Sequence, residues 1–179
     1  MIFPVAPVEM SVYGQYMTRT IYQETRSGTR WTFTQWAVLV ICAAHVLWAI
    51  AGFIAEPSFE IGHHAPTAKV LGMDYNGWHA LAGLALFAPG LFLCRRNSWS
   101  VLYLLAAAVA GTVPGIWALA SPQVMWVMHM PDHVTDAVIH FATAALLVVI
   151  AVVQIRRDGG WANTMSDLRL PTSTQVRER

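Results

Sequence analysis

Five side chains that can exchange a proton, accept a hydrogen bond or ligate a metal stand within or at the mouths of long apolar runs: His45, Asn76, His79, Asp136 and His140. Polar groups inside hydrocarbon are costly, so each requires a partner or a task. Asn76 and His79 are three residues apart, and Asp136 and His140 four apart, spacings that place each pair on one face of a helix. At a rise of about 1.5 Å per residue, His79 and His140 fall roughly one turn below the same outer surface, and His45 lies nearer the midplane. Two imidazoles from different helices can hold a haem or a metal ion, with Asp136 fixing the tautomer of a neighbouring ring. The same groups can instead make interhelical hydrogen bonds, contributing about 0.6 to 2 kcal/mol each. The residues favour the second reading, in which no cofactor is bound, over haem or metal.

A second set of imidazoles lies between the apolar runs. His63 and His64, with His129 and His133, can bind zinc or copper at the outer surface, and the nearby Met125, Met128 and Met130 suit Cu(I). No cysteine or tight histidine spacing fixes a tetrahedral site there. Cys42 and Cys94 fall in lipid or at the reducing inner face, so a disulfide is not expected. Gly111 and Gly115 form a small-xxx-small pair that lets another helix approach, and Pro114 between them implies a kink. The chain has no phosphate-binding glycine loop, nucleophile elbow, His-Glu-x-x-His pair or dinucleotide fingerprint, which leaves an enzyme reading little to stand on.

The elements that must position these residues follow from composition and charge. With 56% hydrophobic and 12% charged residues over 179 positions, the chain lacks the polar surface of a water-soluble domain. Apolar runs from about Phe33 to Ala55, Tyr75 to Cys94, Trp99 to Ala120 and Val134 to Ile155 are each long enough to cross a bilayer. Their continuous apolar character excludes a barrel, leaving an all-α bundle of four transmembrane helices. Trp31, Trp36, Trp78, Trp99, Trp117 and Trp126 sit near run ends, where amphipathic rings prefer the interface. Arg19, Arg26 and Arg30, then Arg95 and Arg96, then Arg156, Arg157, Arg169, Arg177 and Arg179 all fall on one side of these crossings, with only Lys69 on the other. The positive-inside rule therefore puts both termini in the cytoplasm.

Residues 1–32 read as a cytoplasmic amino-terminal segment without a signal peptide's pattern, 33–155 as the membrane domain and 156–179 as a flexible tail. Tyr13, Met17 and Ile21 can mark one face of a short surface helix. The inner halves of the second and fourth runs, Leu84 to Leu93 and Leu146 to Val153, carry no polar route, which argues against a pump or channel. Nothing in the charge pattern is a nucleic-acid footprint.

The segments Asn76-Gly77-Trp78-His79 and Asp136-Ala137-Val138-Ile139-His140 resemble the paired motifs of a domain-of-unknown-function family of small four-helix bacterial membrane proteins. The likeness runs from about Trp36 to Val153 and includes a Gly-Phe element at Gly52-Phe53-Ile54 and a Leu-Gly element at Leu71-Gly72. Gly83 stands where the family often adds a second histidine. The resemblance implies a recurrent role for Asn76, His79, Asp136 and His140 without saying which. The similar openings of the second and fourth runs suggest two helix pairs related by an internal parallel repeat.

The resulting expectation is a non-enzymatic accessory or structural subunit of the cell membrane, held in register by its outer polar cluster. It would contact lipid and either a membrane-protein partner or a second copy. The alternative is a haem- or metal-binding, redox-active protein using His79 and His140. A small-solute transporter would require a cavity reaching His45.

Overall fold

The computed structural model describes residues 31–168, so the stripe of Tyr13, Met17 and Ile21 and the tail beyond Leu168 lie outside it. Helix α1, Phe33–Ala55, begins in a capping box. Gln35 N donates to the Thr32 hydroxyl at 3.3 Å, and the Thr32 amide donates to Gln35 Oε1 at 2.9 Å, satisfying two helix-terminal donors. Its ends coincide with the limits of the first apolar run.

The second run is shorter and less regular than expected. It divides into α2, Gly77–Phe87, and α3, Gly90–Leu93. Ala88 and Pro89 keep helical dihedrals between them, but proline has no amide hydrogen to continue the ladder. Helices α4, Asn97–Ala120, and α5, His133–Arg157, follow as long continuous elements. The described chain is mostly helical, and three helices, α1, α4 and α5, are long and apolar enough to cross a membrane; Gly77–Leu93 is apolar but shorter.

Two antiparallel hairpins depart from an all-helical reading. The first pairs β1, Ala68–Val70, with β2, Met73–Tyr75, through a turn in which Leu71 and Gly72 both have positive φ (49° and 89°). The second pairs β3, Gln123–Val124, with β4, Met128–His129, around Met125 and Trp126, again at positive φ (51° and 64°). Each helix pair, α1 with α2 and α4 with α5, thus carries a hairpin in its connection. After α5, where the sequence shows no periodicity, Trp161–Thr164 forms a short helix α6 and Ser166–Leu168 a 3-10 turn, with Met165 packed on the core.

The two ends of the bundle are tied differently. At the end holding the start of α1 and the close of α5, Thr32 donates to Asn97 (2.8 Å), Asn97 to Asp158 (2.9 Å), Thr34 to Gln154 (2.9 Å) and Gln154 to Asp158 (2.8 Å). These bonds join α1, α4 and α5 directly, and Tyr103 adds a bond from α4 to the Leu86 carbonyl of α2. The adjoining core of Val38, Cys42, Val101, Leu104 and Ala151 is buried and mostly apolar, with Phe87 and Leu147 at its border with a cavity between the helices. Cys42 and Cys94 are both buried free thiols.

At the other end the hairpins cover the bundle. Tyr75 packs across α1, where a Cβ added to Gly52 would run into its ring, so only glycine admits the hairpin this closely. The Gly77 amide is fixed to the Ser58 carbonyl at 2.8 Å, and Trp48 Nε1 donates to the Val70 carbonyl at 2.9 Å.

Candidate ligand site

Asn76 is the N-cap of α2. Its extended backbone turns the side chain back so that Oδ1 accepts the His79 amide at 3.0 Å, a bond that secures the first helical turn. His79 then faces inward, stacked on Tyr75 with ring centroids 4.4 Å apart and planes 10° from parallel. Its Nδ1 lies 2.6 Å from the Asp74 carbonyl. A carbonyl can only accept, so Nδ1 carries the hydrogen and Nε2 is left with a lone pair. His45 follows the same rule: its Nδ1 donates to the Ile41 carbonyl at 2.8 Å, and its ring stacks on Phe87 at 4.0 Å.

His140 comes from α5. Its backbone is brought close to α4 by Gly115, where an added Cβ would stand 3.0 Å from the His140 Cβ; at Gly111 an added Cβ would meet nothing within 4 Å. The His140 ring lies 6.1 Å from that of His79, 23° from parallel, and its buried Nε2 has no hydrogen-bond partner. His45, His79 and His140 thus share the wall of one cavity of about 430 Å³ between the helices, with Gly111 also on its lining. Apart from these rings, Trp48, Tyr75 and Thr143 the wall is apolar or thioether, and it includes Met73, Met125, Met128 and Met130.

Asp136 is fully buried one turn before His140, yet it does not line this cavity. Its Oδ1 accepts the Asp74 amide at 3.4 Å, while Oδ2 has no partner. Asp74, also buried, accepts the Asp132 amide through Oδ2 at 2.8 Å. Lys69 closes the group, donating to Asp132 at 2.8 Å and lying 3.7 Å from Asp74, its cross-strand neighbour. The hydrogen bond to Asp132 raises the Lys69 pKa, and the same bond holds the Asp132 carboxyl below its usual range. The polar bonds of Asn76, His79 and Asp136 therefore secure the first hairpin and the start of α2, whereas helix-to-helix bonds gather at the opposite end.

Sequence reasoning missed Asp74, Asp132 and Lys69. Gly72 was the one turn residue in the sequence at the hairpin that folds Lys69 back over Asp74, with Leu71 beside it giving no such signal. Of the histidines in the helix connections, His63 and His129 stand with rings edge to face at 6.4 Å, and His129 Nδ1 is buried without a partner. Burial and the His63 imidazole lower the His129 pKa, keeping that ring neutral near pH 7. His133 instead bonds the Ala118 carbonyl, and His64 is exposed. Among the described residues, no group of three or more His, Cys, Asp or Glu is arranged to hold a metal ion.

A bundle with three long apolar helices and a cavity lined in part by three imidazoles defines a helical membrane protein. The family described as a domain of unknown function (DUF4383) matches residues 35–153, which include every one of these site residues, and the chain belongs to that family. No curated protein and no solved structure matches the chain.

Proposed function

We propose that the protein is a non-enzymatic, multi-pass protein of the cell membrane that binds a small ligand in the cavity beneath its two hairpins, with His79 and His140 as the polar contacts. The observation that carries this reading is His140, which lines a cavity of about 430 Å³ and whose buried Nε2 has no hydrogen-bond partner. A buried polar atom left without a hydrogen bond costs about 1–3 kcal/mol, a cost that a bound group would offset. The volume falls within the range of small-molecule sites, and a mostly apolar wall with a few convergent polar groups is their usual chemistry. The buried, mostly apolar core beyond the cavity favours binding over passage across the membrane. An accessory-subunit role is compatible with this site and would be exercised through the exposed apolar helix faces, such as Val40, Leu47, Val109 and Ile116.

The test uses Gly111→Leu, whose side chain would enter the cavity at a point where nothing stands within 4 Å. Native mass spectrometry and metal analysis of the full chain in mild detergent should detect a ligand in the wild type that is lost in this variant, with the melting temperature retained. Identical, ligand-free spectra for both proteins, including after incubation with lipid extract and metal salts, would refute the reading.

A further inference from the structure

We infer that the cavity is a site for a soft monovalent metal, Cu(I), held by His79 and His140 together with the thioethers of Met128 and Met130. This rests on the ligand-binding reading above and names the class of ligand. The first argument is the donor inventory. Three of the seven histidines and four of the eight methionines in the chain line this one cavity, and no carboxylate, thiol, lysine or arginine does. Thioether is the soft ligand that selects Cu(I), and imidazole suits copper beside it, whereas zinc takes tetrahedral sets of Cys, His and carboxylate, and calcium and magnesium take oxygen.

The second argument is preparation of the donors. His79 has its Nδ1–H engaged by the Asp74 carbonyl, the backbone orientation that leaves Nε2 as a metal-binding lone pair. His45, deeper on the same wall, is fixed identically by Ile41. Met128 and Met130 are 4% and 1% exposed, so their sulfurs are withdrawn from water rather than spread over a membrane-facing surface. The Met130 amide is tied to the Pro122 carbonyl at 2.8 Å, which anchors this strand over the cavity.

The third argument is charge. Neutral imidazoles and thioethers leave a bound Cu(I) with its single positive charge, and the carboxyl of Asp136, one turn before His140, has an oxygen free of hydrogen bonds. Asp74 and Asp132 extend this acidic surround, and the neighbouring Lys69 is already paired with them.

The experiment titrates the full chain in detergent, under anaerobic reducing conditions, with Cu(I) held by a chromogenic chelator, and reads the competition together with X-ray absorption of the loaded protein. One copper per chain is expected, with both nitrogen and sulfur ligands. Met128→Leu/Met130→Leu, which retains apolar bulk, and His140→Ala should each weaken binding by about tenfold or more, and the methionine variant should lose the sulfur signal. His64→Ala should bind as the wild type does. A wild type that withdraws no copper, or a methionine double variant that binds with unchanged affinity and spectrum, overturns the assignment. If the wild type takes no copper but carries an organic molecule that Gly111→Leu expels, the metal is wrong and the cavity reading stands; if neither is found, both fall.

Discussion

The rings of His79 and His140 face each other at 6.1 Å, but they are held in unequal ways. His79 is clamped by the Asp74 carbonyl and by Tyr75, whereas Nε2 of His140 has no partner. Truncating the two should therefore separate stability from binding. His79→Ala leaves the Asp74 carbonyl unpaired and removes the stack, and should lower stability by about 1–3 kcal/mol. His140→Ala should cost less than half as much while abolishing ligand retention. Equilibrium unfolding in detergent, measured beside ligand content, checks both, and equal stability losses would contradict the asymmetry.

Glycine positions give a second contrast. At Gly52 an added methyl group would enter the Tyr75 ring, and at Gly90 it would meet Cys42 and Tyr103; at Gly111 it would meet nothing. Gly52→Ala and Gly90→Ala should each destabilise by about 1–3 kcal/mol through overpacking. Gly111→Ala should stay within about 0.5 kcal/mol of the wild type, since it only adds surface to the cavity wall. Melting temperatures of the three variants in one detergent decide the matter.

The contrast between what was legible and what was not has physical causes. Helix α1 could be read to the residue because a continuous apolar run begins at a Thr32 cap and ends before Pro57. The pairing of His79 with His140 followed from spacing and depth alone, both set by the helical repeat. Pro89 broke the second run within a stretch whose hydropathy gives no sign of it. The hairpins escaped notice because strands of two or three residues are too short to show alternation. Their turns also place Leu71, Met125 and Trp126 where sequence rules look for Asn or Gly. With the hairpins hidden, the Lys69–Asp132–Asp74 group stayed hidden as well, and Met125, Met128 and Met130 were read with the loop histidines rather than as part of the cavity wall.

That Lys69–Asp132 pair should latch the first hairpin to the start of α5 over a defined pH range. Lys69 has a raised pKa, so its contribution is complete below the ordinary lysine value and is lost as pH rises through the raised one, above about 10. Asp132 has a lowered pKa, so its contribution is complete above the ordinary carboxylate value and is lost as pH falls through the lowered one, below about 4. The latch should be constant between about pH 5 and 9. Hydrogen-exchange protection across residues 68–75, taken relative to the intrinsic rate at each pH, should be constant over that interval and fall in acid, and Lys69→Met should lower it at pH 7. Unchanged exchange in the variant would show that the pair restrains nothing.

Leu71 holds a left-handed conformation (φ 49°) at 82% exposure, so the strain is not offset by burial of its side chain. A non-glycine residue in this region costs about 1–2 kcal/mol, less for asparagine. Leu71→Asn should therefore raise stability by about 0.5–1 kcal/mol and leave the cavity untouched. A drop in melting temperature would instead mean that the exposed leucine is anchored in the membrane interface.

The number of crossings rests on the shortest helix. Gly77–Leu93 at about 1.5 Å per residue spans roughly 25 Å, less than the roughly 30 Å of a bilayer's hydrocarbon. Buried Met73 and Tyr75 extend the apolar path at its outer end, and Arg95 and Arg96 can reach the inner interface with their long side chains. The inner-end bonds from Thr32 to Asn97 and from Asn97 to Asp158 gather the start of α1, the connection before α4 and the end of α5. We propose four crossings with both termini inside, a topology that labelling tests. In a background lacking Cys42 and Cys94, single cysteines at Ile61 and Trp126 should react with an impermeant thiol reagent added outside intact cells. Cysteines at Asn97 and Asp158 should react only after permeabilisation. External labelling at Asn97 would make Gly77–Leu93 a re-entrant element and leave three crossings.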